Sequence, residues 1–115
     1  MISIIIPAYN EEKTIGDTIE TLSKYFDGVD VNYELVVVSD GCQDDTYEVA
    51  KSFESGCVRV FAYEENRGKG HALRYGFEQS RGDPVVFFDA GMNFPPEQIM
   101  GFLERRRPLT PLPKY

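Results

Sequence analysis

Positive charge is scarce in this chain: 12 Lys and Arg stand against 19 Asp and Glu, a formal net charge of -7. A nucleic-acid binder needs a cationic footprint, so broad nucleic-acid binding is excluded as an expectation. Sulfur and imidazole are scarce too. Two cysteines, Cys42 and Cys57, give no disulfide framework, and a single histidine, His71, gives no zinc cluster. No apolar stretch is long enough to cross a bilayer. The apolar start, residues 1–7, is short and has no basic leader, so no export signal is expected. These absences point to a chain that works in the cytoplasm or on the cytoplasmic face of a membrane. Membrane association would come through regions or a partner beyond this chain, and a homo-oligomer is compatible with the sequence.

The 115 residues suffice for one domain, with 42% hydrophobic residues to build a core. Ile2, Ile4, Ile5 and Ile6 form a nearly continuous apolar run ended by Pro7. Such a run suits a strand buried on both faces of a parallel sheet. Ile15, Ile19, Leu22 and Phe26 then recur at helical spacing, and Asp27-Gly28 stops that helix. A second apolar strand is expected over 33–38, and a third over 58–63. Between them Asp44 or Asp45 can cap a helix whose apolar face includes Val49, Ala50 and Phe53. A third helix carries Ala72, Leu73, Gly76 and Phe77 and stops near Arg81-Gly82. A fourth strand follows over 85–88. Pro95 and Pro96 open a short helix over about 97–104. Tyr25, Phe26, Tyr33 and Phe53 are assigned to the core.

Strands alternating with helices imply right-handed crossovers and a parallel sheet with helices on both faces, an α/β fold. Residues 1–104 make the domain. In 105–115, Pro108, Pro111 and Pro113 argue for an extended or disordered tail.

In open parallel sheets ligands bind outside the carboxyl ends of the strands. Every polar cluster of this chain falls there: Asn10 to Glu12 after the first strand, Asp40 after the second, Arg67 to Gly70 after the third, Asp89 after the fourth. The loop Asn66-Arg67-Gly68-Lys69-Gly70 is cationic, its glycines allow close backbone approach, and it opens a helix, so it fits a diphosphate. It lacks the Walker spacing. A plain turn with exposed basic residues is an equal reading of this loop taken alone. Asp40 and Asp89 can accept hydrogen bonds from a base and a ribose, or simply shape turns.

Four motifs occur in a fixed order: Pro7-Ala8-Tyr9-Asn10-Glu11-Glu12, then Asp40-Gly41-Cys42-Gln43-Asp44-Asp45-Thr46, then Asn66-Arg67-Gly68-Lys69-Gly70-His71-Ala72-Leu73, then Asp89-Ala90-Gly91 with Pro95-Pro96-Glu97. In this order they resemble family 2 glycosyltransferases, in the flavour of the dolichol- or polyprenyl-phosphate sugar transferases. The resemblance implies the N-terminal half of a GT-A, Rossmann-like nucleotide-diphospho-sugar transferase fold that binds a UDP- or GDP-sugar. The acceptor it implies is a polyprenyl phosphate or a glycan.

By that resemblance Pro7, Ala8, Tyr9 and Glu11 contact the nucleoside, and Asp40 binds the base. Lys69 and Arg67 lie near the nucleotide, and Asp89 with Ala90 opens the D-x-D motif at ribose or metal. A divalent ion, Mg or Mn, is implied with Asp89 as ligand, but Gly91 stands where the family has the second aspartate and offers no side-chain donor. Cys42 replaces the usual serine. The general base of inverting members lies beyond the fourth strand in the family, so no residue here is nominated for it. Two alternatives remain beside the transferase: a non-catalytic nucleotide-sugar-binding module, and another doubly wound domain such as a nucleotidyltransferase or a phospho-acceptor module. The absence of glycine directly after the first strand counts against a nucleotidyltransferase.

Overall fold

A computed structural model describes residues 1–89 of the chain. The expected helix over 97–104, the tail over 105–115, and Ala90, Gly91 and Asn93 lie outside the described residues.

The order of elements is β1 (Ile2–Ala8), α1 (Ile15–Gly28), β2 (Tyr33–Asp40), α2 (Thr46–Lys51), β3 (Val58–Tyr63), α3 (Lys69–Gln79) and β4 (Val85–Phe87). The strands form one sheet in the order β3-β2-β1-β4, and every pairing is parallel. β1 and β2 are buried along their whole length, as their unbroken apolar runs require.

Side-chain alternation divides the core between the two faces. Ile4, Ile6, Leu35, Val37, Val58 and Val60 face α1 and α2, and the helical stripe Ile15, Ile19, Leu22 and Phe26 packs there. Ile5, Val36 and Val38 face α3, where Ala72 is buried among them. Gly76 lets α3 sit directly on the sheet, because a Cβ at that position would lie 2.5 Å from Ile5 Cγ2. Phe26 and Tyr33 are buried as expected, and Tyr25 and Phe53 pack against the core partly buried.

Two local expectations need correction. Pro7 does not end the first strand; it lies inside β1, opposite Val38. Ser3 N–H and Ile5 C=O both bond on the β4 side, so Pro7, two residues further on, turns its missing N–H to that side. The β4 pairing has already ended there, at Ile5 and Phe87. Phe77 is not on the buried face of α3: it is 62% exposed. It follows Gly76, which faces the sheet, and one helical step rotates it away. Of the two residues expected at the start of α2, Asp44 makes the bond: its Oδ1 accepts the Thr46 N–H at 2.9 Å, while Asp45 makes no side-chain capping bond.

On the α3 face, at the end of the sheet away from the strand tips, sits a buried polar knot. Glu34 accepts from Ser3 Oγ at 2.6 Å, from the Arg81 N–H at 2.7 Å and from Arg59 Nη2 at 2.7 Å. Arg59 also donates to the Gln79 carbonyl at 2.6 Å. Burial pushes the Glu34 carboxyl up, but these donors outweigh it and hold it below the usual range. One side chain thus ties β1, β2, β3 and the α3–β4 turn together.

Candidate functional site

All strands point the same way, so all their carboxyl ends share one edge. The chain leaves β1 toward β2, whereas β4, on the other side of β1, is reached by the crossover from β3 through α3. The β1–β4 boundary is therefore a topological switch point, where such sheets bind ligands. A cleft of about 400 Å³ opens there, lined by residues from all four strand ends: Pro7, Ala8, Tyr9 and Glu11 after β1, Asp40 of β2, Asn66, Gly68, Lys69 and Ala72 from the loop after β3 and α3, and Asp89 after β4.

The rim between the first two strand ends is braced by hydrogen bonds between loops. Thr46 Oγ1 accepts the Glu11 N–H at 2.7 Å, Asn10 Oδ1 accepts the Gln43 N–H at 2.8 Å, and Glu12 Oε1 accepts the Asp45 N–H at 2.9 Å. Cys42 is part of this brace, with its Sγ 3.3 Å from the Asn10 N–H and 3.4 Å from the Ala8 carbonyl. The serine substitution is therefore accommodated as a hydrogen-bonding side chain. Burial pushes the Asp44 carboxyl up, yet bonds from the Thr46 hydroxyl and N–H and the Glu12 N–H together hold it below its ordinary value. Tyr9 stands 46% exposed on the cleft wall.

Asp40 shares the face of Val38 and Val36, the face covered by α3. It is 3% exposed. Its carboxylate reaches the loop that precedes α3: Oδ1 accepts the Arg67 N–H at 2.9 Å, and Oδ2 accepts Asn66 Nδ2 at 2.9 Å and the Gly68 N–H at 3.0 Å. Gly41, at φ 60°, permits this approach, since a Cβ there would fall 2.1 Å from the Asn66 N. Tyr63, at the end of β3, feels the same carboxylate; burial, then Asp40, pushes its phenol up. His71 packs edge-on against Tyr63, with ring centroids 5.2 Å apart.

Lys69 opens α3, and its Nζ lies 2.6 Å from Asp89 Oδ2. The leading N–H groups of α3 have no intrahelical partner, as at any helix start, and Gly68 before them has no side chain to cap them, so they present a dipole end at the cleft. Arg67 differs from expectation. Its side chain is not part of the cleft wall; the guanidinium pairs with Glu65 at 2.9 Å on the surface, and only its backbone N–H serves the site.

The cleft thus brings together Pro7, Ala8, Tyr9, Glu11, Asp40, Lys69 and Asp89 of the candidate residues. Ala90 lies outside the described residues. Asn66 and Gly68, read in the sequence only as members of the diphosphate loop, also line the cleft, as does Ala72. Their signal is weak, because an amide and a glycine in the loop and a small residue in α3 give no charge pattern to read.

Residues 3–106 match glycosyl transferase family 2. The chain belongs to this family. As a family 2 chain it is 35% identical over 108 residues to the undecaprenyl-phosphate 4-deoxy-4-formamido-L-arabinose transferase of Pseudomonas paraeruginosa, covering 91% of this chain and 32% of that protein. It is 35% identical over 112 residues to the glycosyltransferase AglD of Haloferax volcanii, covering 92% of this chain and 18% of that protein. Among solved structures it is similar to glucosyl-3-phosphoglycerate synthase from Mycobacterium tuberculosis in complex with Mn2+, UDP and phosphoglyceric acid. There the TM-score is 0.73 and the identity 34%, over 92% of this chain and 38% of that one. Mannosyl-3-phosphoglycerate synthase from Rubrobacter xylanophilus superimposes with a TM-score of 0.80 at 25% identity, covering 95% of this chain and 37% of that one. The chain therefore spans about a third or less of the curated relatives' length. These neighbours are nucleotide-sugar glycosyltransferases of the GT-A type, which agrees with the expected fold class.

No three His, Cys, Asp or Glu side chains gather as ligands among the described residues. Asp89 already carries a cation at 2.6 Å, and Gly91 has no donor in its side chain.

Among the described residues no helix is long and apolar enough to cross a membrane.

Proposed function

We propose that this chain is the donor-binding part of a glycosyltransferase that moves a sugar from a UDP- or GDP-sugar to an acceptor such as a polyprenyl phosphate or a glycan. The observation that carries this reading is the single cleft at the switch point, into which four separate strand-end loops deliver complementary chemistry. The lipid-phosphate acceptor rests on the similarity to undecaprenyl-phosphate transferases. Nothing in the comparisons favours a non-catalytic binding module.

Donor binding runs from the inner end of the cleft to its mouth. The nucleoside lies along Pro7, Ala8 and Tyr9, with the exposed Tyr9 ring offering a stacking face. Asp40 accepts three N–H donors from its own chain. A carboxylate has about four acceptor positions, so one remains for a base N–H. Glu11 and Asp89 face the ribose. The diphosphate meets Lys69 and the first turn of α3. In the transfer, an acceptor oxygen attacks the anomeric carbon, and the bond to the diphosphate oxygen breaks. The nucleoside diphosphate leaves with the electron pair, and Lys69 supports the charge that develops on it. Work at the cytoplasmic face of a membrane follows from a lipid-linked acceptor.

Incubation of the protein with radiolabelled UDP- or GDP-sugars and polyprenyl phosphate tests the reading. Labelled lipid supports it. Failure to bind either nucleoside diphosphate at millimolar concentration rejects it.

A further inference from the structure

We infer that Asn66 is a positioning residue for the diphosphate end of the donor, acting with Asp40 as a latch on the loop ahead of α3. This rests on the donor-binding reading above. The Asn66 side-chain amide spans one residue: Nδ2 donates to the Asp40 backbone carbonyl at 3.0 Å and to its Oδ2 at 2.9 Å. The next two backbone N–H groups, Arg67 and Gly68, close on the same carboxylate at 2.9 and 3.0 Å. On the other side Gly41 leaves no slack, for the Asn66 backbone sits where its Cβ would be. Three consecutive residues are therefore bolted to the tip of β2.

The residue after this bolt is Lys69, the cation on the cleft wall, and it also starts α3. Whatever fixes 66–68 fixes where the ammonium group and the helix N-terminus point. Only a side chain that donates two N–H groups and carries no charge completes the latch. An aspartate here would repel Asp40, and an aliphatic residue would leave the buried carboxylate short of a donor. Asn66 reaches the donor through Lys69, so its contribution should depend on Lys69 being present.

A double-mutant cycle reads that dependence. Asn66→Ala, Lys69→Ala and the double variant are titrated by NMR with UDP and GDP, and with uridine and guanosine. Asn66→Ala is expected to weaken nucleoside diphosphate about tenfold while the nucleoside changes by less than about twofold. In the Lys69→Ala background the Asn66→Ala loss should shrink, leaving only the share carried by the helix N-terminus. Losses that multiply in the double variant, or an equal loss for nucleoside and diphosphate, would overturn the inference. Asn66→Ser keeps one donor and serves if the alanine variant does not fold. It should show the same selective loss at a smaller size, and an unselective loss would overturn the inference equally. Unaltered protein that binds neither diphosphate overturns the donor reading and this inference together, whereas binding with independent losses overturns this inference alone.

Discussion

Lys69 Nζ sits 2.6 Å from Asp89 Oδ2, joining the start of α3 to the end of β4 across the cleft. The two residues are twenty apart in sequence, one at the start of the crossover helix between β3 and β4 and the other just after β4. Lys69 is about half exposed, so the pair itself adds little stability. Its value is positional, because it keeps an ammonium group at the point where the leaving diphosphate would lie. Lys69→Ala is therefore expected to weaken UDP or GDP binding by about 1.5–3 kcal/mol, as for a lost charge-assisted bond. Its thermal midpoint should stay close to that of the unaltered protein. Calorimetric titration and a melting curve check the two halves of this expectation.

Asp40→Ala removes the acceptor of three N–H groups and, on the donor-binding reading, the carboxylate offered to the base. Nucleotide binding should weaken by about 1–3 kcal/mol. Nucleosides should lose affinity as well as diphosphates, in contrast to the Lys69 variant. Unchanged nucleoside affinity would remove Asp40 from the base site.

Gly91→Asp places a second carboxylate two residues after Asp89, the arrangement that the family resemblance associates with a divalent ion. The variant's affinity for UDP or GDP should tighten on addition of Mn2+ by clearly more than that of the unaltered protein, measured against EDTA. An identical response in both would show that position 91 is not at the metal-facing place in this chain.

Glu34 answers to pH through stability rather than binding. Its folded-state pKa lies below the ordinary 4.5, so its stabilising contribution is fully present above that value. As pH falls from 4.5 through the lower folded-state value, the unfolded chain takes up the proton first and the contribution is lost. Glu34→Gln should flatten this acid-side decline in urea-melt stability. Glu34→Ala strands the Arg59 guanidinium, which is 20% exposed. At neutral pH it should cost about 3 kcal/mol, as for a buried pair missing one partner.

Much of this architecture could be read from residue patterns, and the misses have local causes. The α1 stripe Ile15, Ile19, Leu22 and Phe26 is buried as its spacing requires, because a helix on a sheet has one face to hide. The continuous runs of β1 and β2 announced strands covered on both sides. Pro7 misled because the rule against proline in strands depends on which neighbour the missing N–H would face. Phe77 misled because apolarity gives the sum of a helix's contacts but not where its buried arc ends.

Charge and strand-end position picked out Asp40, Lys69 and Asp89, and all three line the cleft. The same logic drew in Arg67, whose side chain turns to Glu65 instead. Asn66 was read only as a member of the cationic loop, because its bond is to a partner 26 residues earlier, at the tip of another strand. Glu34 was equally invisible, since its donors come from Ser3, Arg59 and Arg81. Long-range polar pairing of this kind leaves no periodic trace.

The central claim is that the four strand-end loops form one nucleoside-diphosphate cleft, and backbone NMR during a UDP and GDP titration tests it most directly. The account predicts saturable shifts confined to Ala8, Tyr9, Glu11, Asp40, Asn66, Gly68, Lys69 and Asp89. Saturable shifts centred instead on Met1, Asp30 and Asn32, at the opposite edge of the sheet, or no saturable shifts at all, would contradict it.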